Sequence, residues 1–85
     1  MADVDIYTSA FCGYCSRAKR LLKEKGIEFN EIGVDMNPSL REEMTRKAGG
    51  RYTVPQIFIN GRHVGGCDDL HELDARGELD KLLAA

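Results

Sequence analysis

A pair of cysteines stands where a strand pattern passes into a helical pattern. Val4–Thr8 alternates apolar and polar side chains and is rich in β-branched residues, which predicts a strand. From Ser16 onward, apolar residues recur at helical spacing on one side of the chain: Ala18, Leu21 and Leu22. Lys25-Gly26 then supplies a helix stop. Cys12-Gly13-Tyr14-Cys15 is therefore expected at a strand-to-helix junction of an α/β fold.

The middle of the chain continues this alternation of strands and helices. Ile27–Val34 predicts a second strand. Asn37-Pro38 predicts the cap and first residue of a helix that ends at Gly49-Gly50. Gln56–Ile59 is a short, continuous apolar run, which suits a strand buried on both faces of a sheet.

A hairpin and a last helical region complete the order of elements. Asn60-Gly61 is a strong hairpin signal, so Arg62–Val64 is expected to return as an edge strand. A helical region opens at Cys67 or Asp68, and Gly77 is expected to divide it. The order βαβαββα predicts one domain over residues 1–85, with a mixed four-stranded sheet, a parallel first strand pair and helices on both faces.

Composition excludes several classes of function. The 85 residues are 42% hydrophobic, which suits one small core. A net charge of −2 gives no reason to expect nucleic acid or an anionic membrane as partner. No apolar run approaches the roughly 18 residues of a membrane span. The opening Met1–Asp5 lacks the basic and apolar regions of a signal peptide, so a cytoplasmic protein is expected.

The spacing of the first two cysteines suits redox chemistry. The chain has three cysteines, which is too few and the wrong parity for a disulfide-stapled scaffold. Cys12 is expected at the positive end of a helix, where the thiolate form is favoured. Cys15 lies one turn further on the same side, so the two sulfurs can form a disulfide. Cys12 is therefore the predicted nucleophile, and Cys15 is predicted to resolve mixed disulfides.

Two other interpretations of the pair stay open at this point. A CxxC can arise by chance in a chain with three cysteines. Alternatively, Cys12, Cys15, Cys67 and His71 together contain the ligand types of a Cys3His zinc site. Zinc modules normally place each ligand pair on a turn or hairpin, whereas here both pairs would start helices.

Three motifs together resemble the glutaredoxin family, in particular its small bacterial dithiol members. They are the CxxC after the first strand, Thr53-Val54-Pro55 before the third, and Gly65-Gly66-Cys67-Asp68-Asp69-Leu70 after the fourth. The resemblance runs from Val4 to Leu83. It implies a thioredoxin-like fold and a glutathione-dependent thiol–disulfide oxidoreductase that reduces disulfide-containing and glutathionylated proteins.

The resemblance also implies where glutathione binds. A cis bond at Val54-Pro55 would present the Val54 backbone, next to Thr53, to the cysteinyl part of glutathione. Past Gly66, the N–H groups of Cys67 and Asp68 would receive the γ-glutamyl carboxylate, and the Asp68 carboxylate would accept from its amino group. Tyr14 would line the site and Arg51 would pair with the glycyl carboxylate.

Structural roles compete with several of these assignments. Pro55 can simply start a strand. Asp68 or Asp69 can be a helix cap, and the two roles are compatible. Tyr14 can be a partly exposed aromatic residue and Arg51 a solvated loop residue. A small, buried free thiol is expected for Cys67. His63 and His71 are expected on the surface.

Two departures from the family pattern bear on function. Gly13 stands where many dithiol members have proline, and members with glycine or serine there are often those that hold a [2Fe–2S] cluster between two subunits with glutathione as co-ligand. A cluster carrier or sensor, with Cys12 as the ligand, is therefore the alternative function. Ser9–Phe11 lacks the lysine that commonly contacts the glycyl carboxylate, which leaves Arg51 or Arg17. Without a cluster, no metal and a monomer are expected.

Overall fold

The computed structural model describes residues 2–84, which form four strands and four helices. In chain order the elements are β1 Val4–Thr8, α1 Gly13–Glu24, β2 Asn30–Gly33, α2 Pro38–Lys47, β3 Gln56–Ile59, β4 Arg62–Gly65, α3 Cys67–Ala75 and α4 Leu79–Ala84. The predicted order of elements is confirmed. The final helical region divides into α3 and α4 around Gly77, whose φ is +74°.

The strands form one mixed sheet in the order β2-β1-β3-β4. β1 runs parallel to β2, with Tyr7 opposite Ile32, and antiparallel to β3, with Ile6 opposite Ile57. β3 and β4 form the predicted hairpin. Both of its turn residues have positive φ, 52° at Asn60 and 80° at Gly61, as a tight two-residue hairpin requires.

Helices pack on both faces of this sheet because β1 and β3 alternate buried side chains between the faces. Ile6 and Ile57 pack with helices α1, α3 and α4 in the larger core. Tyr7 and Phe58 face the opposite way and pack with Met44 of α2 in the smaller core. All four residues of β3 are buried, which the apolar run predicts for Ile57–Ile59 but not for the polar Gln56. β1 is thereby held between two strands and two cores, and its carboxyl end is a rigid base for the residues that follow.

The second strand is shorter than its sequence pattern predicts. Pairing starts at Asn30, and Ile27–Phe29 lies outside the strand. The end of α1 explains the difference. Gly26 ends the helix with a φ of +71°, and the Ile27 N–H donates a hydrogen bond to the Leu22 carbonyl oxygen at 3.0 Å, so it is not available for strand pairing. Ile27 and Phe29 still pack against the larger core, so their apolar character reflects packing rather than strand pairing.

Candidate active site

Cys12 is the cap residue at the amino end of α1. The residue before it, Phe11, is exposed and has a φ of 57°. The Sγ of Cys12 accepts the backbone N–H of Cys15 at 3.1 Å and lies 3.9 Å from the carbonyl oxygen of Val54. The side chain is partly exposed. Cys12 is therefore the sulfur of the pair that faces both solvent and the N–H groups at the start of α1.

Cys15 differs from Cys12 in burial. Its side chain is buried within the first turn of α1. Burial, followed by the hydrogen bond with Cys12, raises the pKa of Cys15 to about 12, although a backbone hydrogen bond at Ser9 acts in the opposite direction. Cys15 is therefore a neutral thiol at neutral pH.

Asp35 anchors the loop that leads to Cys12. Its carboxylate accepts from the Ser9 hydroxyl at 2.5 Å and from the Ala10 N–H at 2.6 Å. These two bonds, the Ser9 bond first, hold the pKa of Asp35 below its usual value. Asp35 directly follows Val34 at the end of β2, so the bonds tie the β1–α1 loop to the β2–α2 loop. The approach of the chain to Cys12 is thus fixed from both strands.

A groove of about 360 Å³ gathers all of the residues predicted to bind glutathione. They come from three separate parts of the chain: Tyr14; Arg51, Thr53, Val54 and Pro55; and Gly66, Cys67 and Asp68. The Val54-Pro55 peptide bond is cis. Since the Cys12 sulfur lies 3.9 Å from the Val54 carbonyl oxygen, the groove adjoins the Cys12 thiol, which lines a neighbouring cavity together with Cys15. A larger cavity of about 680 Å³ lies elsewhere, near Val4 and Leu83, and has no cysteine in its lining.

The start of α3 forms one wall of the groove. Its cap residue is Gly66, so neither Asp68 nor Asp69 holds the cap position that was considered for them, although the Asp69 side chain accepts the N–H of the cap residue. The N–H groups of Cys67 and Asp68 fall in the first turn, where a helix offers no internal acceptors. These donors suit an anionic group, and the positive end of the helix dipole adds to that preference.

Asp69 is a groove residue that the sequence interpretation missed. Its Oδ2 accepts the Gly66 N–H at 2.8 Å and also accepts from Nη1 of Arg51 at 3.0 Å. The Gly66 N–H is the main reason that the pKa of this carboxyl is lowered. Spacing contained a usable signal, because an acidic residue three positions after a helix cap commonly accepts the N–H of the cap.

The basic and aromatic residues near the groove have defined partners. Arg51 is ion-paired with Asp69 and is not simply solvated. The Arg17 guanidinium lies 6.0 Å from the centre of the Tyr14 ring, which itself is more than half exposed. Arg51 and Arg17 thus place two positive charges near the groove, which suits the carboxylates of the expected ligand.

The third cysteine and the two histidines have mainly structural surroundings. Cys67 is buried, as expected, and burial raises the pKa of its thiol. His71 Nδ1 lies 2.9 Å from the Cys67 carbonyl oxygen. The prediction that both histidines lie on the surface is wrong, since His63 and His71 are each partly buried. The Nε2 of His63 lies 2.7 Å from Oε1 of the buried Gln56.

The four candidate zinc ligands do not form one cluster. Across residues 2–84, no three or more His, Cys, Asp or Glu side chains are grouped so as to hold a metal ion. Cys67 and His71 meet at one helix start, whereas Cys12 and Cys15 meet at another. The arrangement therefore favours a dithiol redox pair over a zinc site.

Comparisons with known proteins agree with this geometry. The family model described as Glutaredoxin matches residues 4–64. Glutaredoxin 3 of Escherichia coli K12 is 59% identical over 83 residues, which span 98% of this chain and 99% of that protein. The solution structure of glutaredoxin from Brucella melitensis is 58% identical, with a TM-score of 0.86 and coverage of 98% of this chain and 89% of that one.

A second solved structure bears on the groove. The crystal structure of the buckwheat glutaredoxin–glutathione complex has a TM-score of 0.89 and 31% identity, and it matches 98% of this chain and 77% of that one. Within the part of the chain that the structure describes, no helix is both long and apolar enough to cross a membrane.

Proposed function

This chain belongs to the glutaredoxin family and is a dithiol, glutathione-dependent thiol–disulfide oxidoreductase with a thioredoxin-like fold, and on that premise we propose that Cys12 is its nucleophile and the adjoining groove its glutathione site. The position of the Cys12 sulfur carries the proposal. This sulfur accepts the Cys15 N–H at the start of α1, and it lies beside Val54 at the end of the groove. The proposed nucleophilic sulfur therefore lies next to the proposed glutathione groove.

Glutathione would lie along the groove from Arg51 to the start of α3. The Val54 backbone would pair with its cysteinyl residue in the manner of a short added strand. The first-turn N–H groups of Cys67 and Asp68 would receive the γ-glutamyl carboxylate, and the Asp68 carboxylate would accept from its amino group. Arg51 supplies the cation for the glycyl carboxylate, and Tyr14 flanks the reacting sulfurs. The buckwheat relative, whose structure is a complex with glutathione, supports this assignment.

The reaction on a glutathionylated protein needs only Cys12. The Cys12 thiolate attacks the glutathionyl sulfur, so a Cys12–glutathione disulfide forms while the substrate disulfide breaks. The substrate leaves as a thiolate and takes up a proton from water. A second glutathione thiolate then attacks the adduct, which releases glutathione disulfide and restores the Cys12 thiolate.

Reduction of a protein disulfide also needs Cys15. Attack by Cys12 forms a mixed disulfide with one substrate sulfur, and the other sulfur leaves as a thiolate. Cys15 then loses its proton and attacks the Cys12 sulfur, which frees the substrate and forms the Cys12–Cys15 disulfide. Two glutathione molecules reduce that disulfide and leave as glutathione disulfide.

Matched serine variants test these roles. Cys12→Ser is expected to abolish turnover of both a glutathionylated peptide and a protein disulfide. Cys15→Ser is expected to keep turnover of the glutathionylated peptide and to lose reduction of the protein disulfide. Both rates can be followed through glutathione disulfide formation. Full turnover of the glutathionylated peptide by the Cys12→Ser variant would refute the mechanism.

A second candidate function, binding of a [2Fe–2S] cluster between two chains, is favoured by Gly13. No heavy atom lies within 4 Å of the position that a Cβ on Gly13 would occupy, so no other described residue covers the position next to Cys12. Cys12 is partly exposed, whereas Cys15 is buried, so Cys12 is the thiol of the pair that suits an iron ligand. A bound cluster would supply one-electron chemistry or be passed on as cargo, with glutathione as co-ligand.

Anaerobic reconstitution with iron, sulfide and glutathione tests this second function. We expect visible absorbance and a dimer on size-exclusion chromatography for the natural chain, and loss of both for Gly13→Pro. Proline is tolerated at the first helical position, so circular dichroism should show an intact fold in the variant. A colourless monomer from the natural chain would rule the function out.

For the oxidoreductase, we propose a monomer that acts in the reducing cytoplasm on disulfide-containing and glutathionylated proteins. One chain supplies every residue of the groove and both active-site thiols. Three cysteines are too few and the wrong parity for a disulfide-stapled secreted scaffold, which suits a compartment that keeps thiols reduced.

A further inference from the structure

We propose that Asp69 is a positioning residue for glutathione, which holds the Arg51 guanidinium at the groove wall and joins it to the start of α3. The proposal rests on the groove being the glutathione site. Asp69 itself would not contact glutathione. It would act through Arg51, by fixing in advance the cation that pairs with the glycyl carboxylate.

A single carboxylate oxygen makes the connection. Oδ2 of Asp69 accepts from the Gly66 N–H at 2.8 Å and from Nη1 of Arg51 at 3.0 Å. Arg51 lies in the loop before β3, whereas Gly66 caps α3, so this oxygen joins two segments that are distant in sequence. Both joined segments carry groups that are proposed to bind glutathione. Asp69 thereby sets the position of one binding group relative to the other.

The two glycines before Cys67 leave room for this bridge. Gly65 has a φ of +125°, and a Cβ there would collide with the Asp69 carboxylate. A Cβ on Gly66 would lie 3.5 Å from Nη2 of Arg51. This is an ordinary contact distance, so the bridge requires a glycine at position 65, and at position 66 the guanidinium lies next to the backbone of the turn.

The exposure of the pair indicates that its main effect is on binding. The side chains of Arg51 and Asp69 are 48% and 41% exposed. Ion pairs with this exposure contribute little to the stability of a fold. An arginine that is already oriented loses less side-chain freedom when it binds a carboxylate, which favours affinity. Loss of this orientation is expected to weaken glutathione binding by about threefold to tenfold.

The test is a double-mutant cycle on KM. Asp69→Asn keeps an oxygen that can accept the Gly66 N–H but removes the charge that holds Arg51. Arg51→Met removes the cation. We expect each variant to raise KM for a glutathionylated peptide by about threefold to tenfold with kcat within about twofold. The double variant should be no worse than Arg51→Met alone.

Controls separate a positioning role from a structural one. Glu72→Gln is the matched acid-to-amide change on the same helix, at a residue ion-paired with Arg76, and it should leave KM unchanged. The melting temperature of Asp69→Asn should stay within a few degrees of the natural protein.

Two outcomes would overturn the proposal. If Asp69→Asn raised KM equally in the Arg51→Met background, Asp69 would act independently of Arg51. If Asp69→Asn lowered or did not change KM, the carboxylate would not assist binding. In both cases an increased KM for Arg51→Met would leave the glutathione site itself intact. If Arg51→Met and Asp69→Asn both left KM unchanged, this end of the groove would not be a glutathione site at all.

Discussion

The attack of Cys15 on the Cys12 mixed disulfide should become about tenfold faster for each pH unit between pH 6 and pH 8. Cys15 reacts as a thiolate, and the fraction of thiolate rises tenfold per unit as long as the pH stays below the pKa. In the reduced enzyme, burial and the hydrogen bond with Cys12 raise the pKa of Cys15 to about 12. The whole pH range of the experiment therefore lies below that pKa.

Formation of the mixed disulfide lowers the pKa of Cys15 only in part. Once the Cys12 sulfur is bonded to a second sulfur, its hydrogen bond and its charge no longer raise the pKa of Cys15. Burial, the largest cause, persists because Cys15 remains in the first turn of α1. The pKa should thus stay above the usual thiol value of about 8.5, so no plateau is expected by pH 8.

Rapid acid quenching followed by mass spectrometry measures this step. The reduced protein is mixed with a glutathionylated peptide, and the Cys12–glutathione adduct is followed as it converts to the Cys12–Cys15 disulfide. In the matched Cys15→Ser variant the adduct should persist until glutathione is added. A rate that levels off between pH 6 and pH 7.5 would refute the reasoning, since Cys15 would then titrate in that range despite its burial.

Two further predictions concern the supports of the site. Gly65→Ala should lower the free energy of unfolding by about 1–3 kcal/mol in urea denaturation, because the residue has a φ of +125° and a new Cβ would collide with the Asp69 carboxylate. Gly33→Ala, where a new Cβ has open space, should lower the free energy of unfolding by less. An equal loss of stability in the two variants would contradict the steric argument. Asp35→Asn should make the free energy of unfolding depend less on pH below about pH 4. The Ser9 and Ala10 hydrogen bonds lower the pKa of Asp35, so in the natural protein the stability that they contribute is lost as the pH falls below about 4. Unfolding curves with the same slope below pH 4 for both proteins would count against that role.

Local patterns were sufficient to predict most of the fold. β1, β3 and the hairpin follow from alternation, an apolar run and Asn60-Gly61, which are all signals within a few residues. Helix ends followed from Gly26 and Asn37 for the same reason. The start of β2 was wrong because Ile27 and Phe29 are apolar for packing, and an apolar pattern does not distinguish packing from strand pairing.

The site residues that could be predicted are those that belong to short, contiguous sequence motifs. Each of the predicted groove residues lies in or beside a motif that the family resemblance supplied, and the fold brings the motifs together. The bridge from Asp69 to Arg51 joins residues 18 positions apart, so no local pattern reveals it. His63 was misjudged for a related reason. Its partner Gln56 is a polar residue buried inside an apolar strand, which sequence alone does not indicate.

The most direct test of the central claim is to locate glutathione on the Cys15→Ser variant after reaction with glutathione disulfide. Peptide mapping by mass spectrometry reports which sulfur carries the adduct. We expect one glutathione per chain, attached to Cys12, because this sulfur is partly exposed at the start of α1 and lies beside Val54 of the groove. Attachment to Cys67, or no adduct at all, would contradict the assignment of Cys12 as the nucleophile.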